Sequence, residues 1–186
     1  MTFTKIPATT FEKLQINAGV LLTDFDAKTG AEEANMLGAT TGGVSFKASP
    51  TYEDWGSDID NCPTNTKELK KLKEIAVSLS GTFVTVDTDL CKSLIAAADV
   101  DGNKVIPRND LVDADFADLH WVGDYGATDG SYIHITVKNA LNTGGFQLKS
   151  TDKAKGQFAF EYTGHYSIKE QGVVPYDIEI VNVSAG

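Results

Sequence analysis

Leu72-Lys-Glu-Ile-Ala-Val-Ser-Leu-Ser-Gly-Thr-Phe-Val-Thr-Val86 places Ile75, Val77, Leu79 and Phe83 two or four residues apart. An amphipathic helix would repeat its apolar residues every three or four positions, so the spacing predicts a long strand with one buried face. The apolar set then continues through Gly81 into Thr82, Val84 and Val86, which predicts a switch of face at the glycine, by a bulge or a bend. The same alternation predicts strands at 44–47, 119–125, 132–141, 157–166 and 176–183. Turn-forming residues at 127–130, 142–145 and 152–156 separate most of them. Residues 14–25 read as a further strand with Leu14, Ile16, Ala18, Val20 and Leu22 on one face. Leu21 and Phe25 require the other face to be partly covered.

A single segment has helical spacing. Asp87 or Thr88 is the capping residue, Asp89 lies in the first turn, and Leu90, Leu94 and Ala97 or Ala98 follow on one side. This predicts a flanking helix over 88–100, ending near Asp101-Gly102. The fold class expected is mainly β with one short α-helix, a sandwich covered on one side or end by that helix.

Residues 47–72 resist both patterns. Pro50, Gly56 and Pro63 interrupt any ladder, yet Tyr52, Trp55 and Ile59 are large and apolar. A loop of this length inside a compact domain usually has a function. Its charges are segregated, with Glu53, Asp54, Asp58 and Asp60 before Lys67, Lys70, Lys71 and Lys73. The two arms either contact other copies of the chain or fold back and neutralise one another. Trp55 is either an interface anchor or a plug in its own core.

Length and charge narrow the function. A chain of 186 residues with 41% hydrophobic content can bury one proper core, so one domain over 1–186 is expected. A net charge of −10 opposes any role in clamping nucleic acid, which needs clustered Lys and Arg. Residues 1–10 have neither the basic nor the apolar part of a secretory signal, and no stretch approaches the ~20 apolar residues of a membrane helix. Cys62 and Cys91 form no CxxC unit and read as free thiols of a reducing cytoplasm.

Several constellations fail as chemistry. From Asp99, a calcium loop would need glycine at its sixth position and glutamate at its twelfth, where Lys104 and Asp110 stand. A helix stop and tight turn explain that stretch better. His120, His134 and His165 lie on separate predicted strands and have no metal-ligand spacing; His134, between Ile133 and Ile135, reads as structural. No nucleophile has a base and an orienting group marked by sequence, and Gly42-Gly43 and Gly144-Gly145 lack phosphate-loop context. No enzyme activity, cofactor or metal is expected.

Five stretches together resemble a known family: Gly38-Ala-Thr-Thr-Gly-Gly-Val-Ser-Phe46, Tyr52-Glu-Asp-Trp-Gly56, Asp58-Ile-Asp-Asn-Cys-Pro63, Lys70-Lys-Leu72 and Leu79-Ser-Gly-Thr-Phe-Val-Thr85. The chain resembles the major tail tube proteins of siphophages and prophages of Gram-positive bacteria. The order of hairpin, long loop, long strand and short helix also agrees. The distinctive part lies within 38–85.

The resemblance implies a β-sandwich whose inner sheets join into a barrel in a hexameric ring, with rings stacked into a hollow virion tail through which genome DNA passes without specific binding. It implies assembly in the host bacterial cytoplasm, with the tape-measure, tail tip and tail terminator proteins as partners besides the chain itself. It assigns inter-ring contact to the loop 49–72, with Tyr52, Glu53, Asp54, Trp55, Asp58, Ile59, Lys67, Lys70 and Lys71 as candidates, and to terminal arms at 1–13 and 180–186. A bore that passes DNA is expected to be acidic, and Asp110, Asp113, Asp115 and Asp118 either face it or form an ordinary solvated loop. The rival reading is a carbohydrate-binding or adhesion β-sandwich that stacks sugars on Trp55, Trp121 and Tyr125.

Overall fold

The computed structural model describes residues 5–126 and 129–182. Residues 127 and 128 of the expected turn, and the ends of both expected arms, lie outside them. In chain order the elements are β1 (Val20–Leu22), β2 (Thr40–Asp54), β3 (Lys70–Phe83), α1 (Thr88–Ile95), β4 (Ala98–Asp101), β5 (Lys104–Pro107), β6 (Ala117–Asp124), β7 (Tyr132–Asn142), β8 (Gln147–Lys149), β9 (Gln157–Gly164) and β10 (Tyr176–Val181). Short 3-10 turns intervene, among them Ala8–Lys13 and Lys67–Leu69. Over the described residues the protein is mainly β, with one α-helix.

All pairings are antiparallel, and β7 joins two layers. Over 132–137 it lies between β6 and β10, with β1 beyond β6; β6 accompanies it to Ala140, and at Leu141 and Asn142 it passes to β9. There it enters a second sheet in which β2, β3 and β9 lie side by side and β8 pairs the far side of β9. Leu21, Leu119 and Val137 from the first sheet meet Val77, Leu79, Phe83, Phe158, Phe160 and Tyr162 from the second in one apolar core. Burying each such Leu, Val or Phe is worth about 1.5–3 kcal/mol, and alternation along each strand is what brings them to one side.

The long strand β3 keeps a single apolar face. Val77, Leu79, Gly81 and Phe83 are in phase, and there is no switch at Gly81. A methyl group at Gly81 would lie 2.7 Å from the Phe160 ring, so the glycine makes room for an aromatic neighbour. The irregularity sits on the partner strand, between Thr40 and Val44, where Gly42 and Gly43 adopt φ of 75° and 84°.

The first expected strand is mostly irregular chain. Asn17 and Gly19 have positive φ, which breaks the extended backbone, and only Val20–Leu22 pairs regularly. Leu21 and Leu22 are both buried, as coverage of both faces requires. Helix α1 starts as expected, with the Asp87 carboxylate accepting the Leu90 N–H at 2.8 Å. It is shorter than expected: Ala96 takes φ 71° and ends it, and 98–107 form the hairpin β4–β5 around Gly102. Buried Asn142 donates from Nδ2 to the Leu94 carbonyl at 2.6 Å and accepts from the Glu161 N–H, tying the helix end to the sheet.

Candidate functional site

The segment expected to be a loop over 49–72 is largely a hairpin. β2 continues to Asp54 and β3 begins at Lys70, so the connection spans only 55–69. Pro50 lies inside β2, opposite Ile75. Ile75 turns its N–H away from β2 to the Tyr166 hydroxyl, 2.9 Å away. The Pro50–Ile75 pair is therefore a non-bonded one, and the proline nitrogen points to the open side of β2, where no ladder partner is lost. By the same alternation the N–H groups of Val44, Phe46 and Ala48 face that open side.

Strand pairing sets Asp54 opposite Lys70 and Glu53 opposite Lys71, so the acidic and basic arms oppose each other within one chain. The Lys70 ammonium stands 5.2 Å from the Tyr52 ring and that of Lys71 5.7 Å from Trp55, while Trp55 Nε1 donates to Glu53 Oε2 at 3.1 Å. Asp54 is a latch: Oδ2 accepts from Asn65 N–H at 2.8 Å and Oδ1 from Gly56 N–H at 3.0 Å. These bonds, Asn65 first, favour the charged form and hold its carboxyl below the usual range.

What the hairpin leaves in solvent is apolar. Tyr52, Trp55, Ile59 and Leu72 are 54, 57, 51 and 53% exposed around its tip. Trp55 is thus no plug for its own core. Lys67 lies in the 3-10 turn that returns the chain to β3, and Asp58 lies in the turn at the tip. Leu72 is not among the contact candidates read from the sequence. It joins the group because the register shift between Thr51 and Tyr52 sets it opposite Tyr52.

The acidic candidates have separate surroundings. Asp115, whose side chain is 1% exposed, is bound by Arg108, the chain's single arginine. Arg108 Nε also meets Asp99 at 3.0 Å, and its Nη1 donates to the Asp110 carbonyl. Asp115 accepts the Val112 N–H as well, so it is a packing group with nothing left to line a bore. Asp113 pairs with Lys169 at 3.3 Å, and Asp118 accepts the Asn139 N–H. Asp113, Asp118, Lys138, His165 and Lys169 border an open cleft of about 570 Å³ that has no nucleophile set beside a base.

One association escaped sequence reading. His120 on β6 and His134 on β7 are 14 residues apart, but antiparallel pairing brings His120 Nδ1 to 2.9 Å from His134 Nε2, with the Thr136 hydroxyl near both. Phe25 covers His134 at a ring separation of 4.7 Å. Burial, then the His134 charge, push the His120 pKa down, against the opposing pull of Asp118, Asp24 and Asp177. Among the described residues no group of three or more His, Cys, Asp or Glu side chains is placed to hold a metal ion.

Trp121, one of the three aromatics proposed to stack sugars, packs against the core and donates from Nε1 to the Ala18 carbonyl at 3.0 Å. Its ring rests on the backbone at Gly19 and Gly123, where added methyl groups would lie 2.5 and 2.7 Å from it. That platform is therefore not assembled.

Two solved particles contain chains similar to this one. The first, a virion of a native gene transfer agent particle, is 8% identical at a TM-score of 0.43 over 88% of this chain and 95% of that one. The second, the tail of an empty gene transfer agent particle with C6 symmetry, is 11% identical at a TM-score of 0.42 over 81% and 92%. No protein-family model and no curated protein matches the sequence.

Proposed function

We propose that the chain is a structural subunit of a phage-type tail tube. Its copies join edge to edge into hexameric rings, the rings stack, and genome DNA passes through the bore. The observation that carries this reading is the 15-residue edge strand β2, paired on one side only and ending at an exposed apolar tip. Long open edges are aggregation hazards that soluble monomers blunt, whereas a closed ring removes them. The same hairpin holds the stretches that resemble the major tail tube proteins of siphophages and prophages of Gram-positive bacteria.

In this reading β2 accepts a neighbour's strand over Val44 to Ala48, where its N–H groups are open, and Pro50 ends the pairing. The contact is heterologous, β2 of one copy against the far edge of the next, so it closes into a ring when the rotation fits. Tyr52, Trp55, Ile59 and Leu72 then meet the adjacent ring, with Lys70 and Lys71 holding two of the aromatics in place. The whole of 1–186 acts as one tube domain, with 1–13 as an arm; Ile180 and Val181, expected in a second arm, belong to β10. Tape-measure, tail tip and tail terminator proteins meet the tube at its ends or in its bore. The subunit is made in the host cytoplasm, resides in the virion tail and catalyses nothing.

Negative-stain electron microscopy with light scattering over a concentration series tests the reading. Rings or hollow filaments with a regular axial repeat are expected. Monomer at every concentration, together with selective capture on a glycan array, would overturn it in favour of the adhesion module.

A further inference from the structure

The outer face of the β2–β3–β9 sheet is unlike the rest of the surface. Strand register places Ser45, Ser80 and Glu161 in one row across it, Lys47, Ser78 and Thr163 in the next, and Ser49 beside Ala76 in a third. At its far side the Thr143 and Thr163 hydroxyls lie 2.6 Å apart. Short hydroxyl and methyl side chains dominate. The charged residues on this face are three lysines, Lys47, Lys71 and Lys149, and three glutamates, Glu53, Glu74 and Glu161, so it is neutral within a chain of net charge −10.

We propose that this hydroxyl face is the wall of the bore, and that DNA slides past a neutral surface of short side chains instead of an acidic one. The inference rests on the tube reading and adds which face turns inward. The opposite face of the same sheet packs on β6, β7 and α1 through Val77, Leu79, Phe83, Phe160 and Tyr162. When the sheet closes with its neighbours around an axis, the side carrying a second layer needs the larger circumference, so the uncovered side turns to the axis. The free edge of β2 borders that side directly.

The composition suits passage of a duplex. Serine, threonine and alanine project little, which leaves the bore wide. Their hydroxyls exchange bonds with water and phosphate oxygens and carry no charge. Without clustered Lys or Arg there is no counterion release to hold the DNA. The acidic surplus lies elsewhere: Asp118 and Asp177 are on the first sheet, and Asp115 is buried against Arg108.

Cysteine accessibility in assembled tubes tests the assignment, in a Cys62→Ser, Cys91→Ser background whose tubes are first confirmed by electron microscopy. Ser78→Cys samples the proposed wall, Thr163→Cys replaces it if that variant does not assemble, and Glu179→Cys samples the outer face of the first sheet. Each is treated with a small maleimide and with a maleimide on a long polyethylene glycol too bulky to enter the bore. The expected result is that assembly abolishes polymer labelling at Ser78→Cys, preserves its small-maleimide labelling, and leaves Glu179→Cys reactive to both. Polymer labelling at Ser78→Cys in intact tubes, or loss of both labels there, would overturn the wall assignment alone. Absence of tubes in the unmodified protein would overturn the tube reading and this inference with it.

Discussion

Arg108 shows how one residue can carry a charge network. It binds the Asp115 carboxylate and the Asp110 carbonyl before β6, and its Nε stands 3.0 Å from Asp99 of β4 as an ion pair without a hydrogen bond. Removing it strands the buried Asp115 carboxylate. Arg108→Met is expected to lower unfolding free energy by about 3–5 kcal/mol, read from urea denaturation. At His120 the folded pKa lies below the ordinary value of 6.5 because burial and His134 disfavour the charged ring. Just below about pH 6.5 the unfolded chain therefore takes up the proton first, and stability falls with pH until the folded pKa is passed. Thermal melts from about pH 7.5 to 5.5 should show this fall, and His120→Gln should flatten it. A wild-type profile as flat as the variant's would remove the histidine pair from the account. The histidine pair was not legible in sequence, because its members meet only through the register of β6 against β7, and the Arg108 network, though local in the chain, depends on how the turn before β6 folds back on Arg108.

Among the elements, β2 and its hairpin carry the proposed function. An edge strand assembles through its unpaired N–H groups, so Ala48→Pro is expected to abolish polymerisation while the monomer melts as before; proline is tolerated on an edge strand. Loss of folding together with assembly would leave β2 a structural strand only. Trp55→Ala acts at the tip and should shorten filaments by weakening ring stacking, with the melting temperature unchanged, because Trp55 lies outside the core. Wild-type filament lengths from that variant would exclude Trp55 from the stacking contact. The elements were unevenly legible. Strands buried on one face, such as β3, β7 and β9, declare themselves by alternation, and α1 declares its start by Asp87. β2 was hidden by Pro50 and by polar residues at an open edge, and helix α1 was read too long because nothing in its apolar spacing marks the left-handed Ala96.

For the whole molecule, charge and shape act together. In the proposed tube, a surplus of acid opposes DNA retention, and the neutral sheet face lacks the clustered cations that would hold a duplex. If that face lines the bore, Ser78→Lys adds one positive charge per subunit to the wall. Tubes of that variant should retain duplex DNA at low salt and release it as salt rises, unlike the wild type. Salt-independent behaviour identical to wild type would argue that Ser78 faces away from the axis. By itself the sequence determined that the chain is mainly β, that one helix starts at Asp87 or Thr88, and that acid predominates. Those features depend on local periodicity, capping and composition, which act between near neighbours in the chain. Only the tertiary structure decided that the acidic and basic arms oppose each other in one hairpin, that Asp115 is locked away, that two histidines touch, and that Ser45, Ser78, Ser80 and Thr163 share a bare face. The buried Asp115 follows from how a turn folds back on Arg108, and the others from strand register, which is set by the packing of the core.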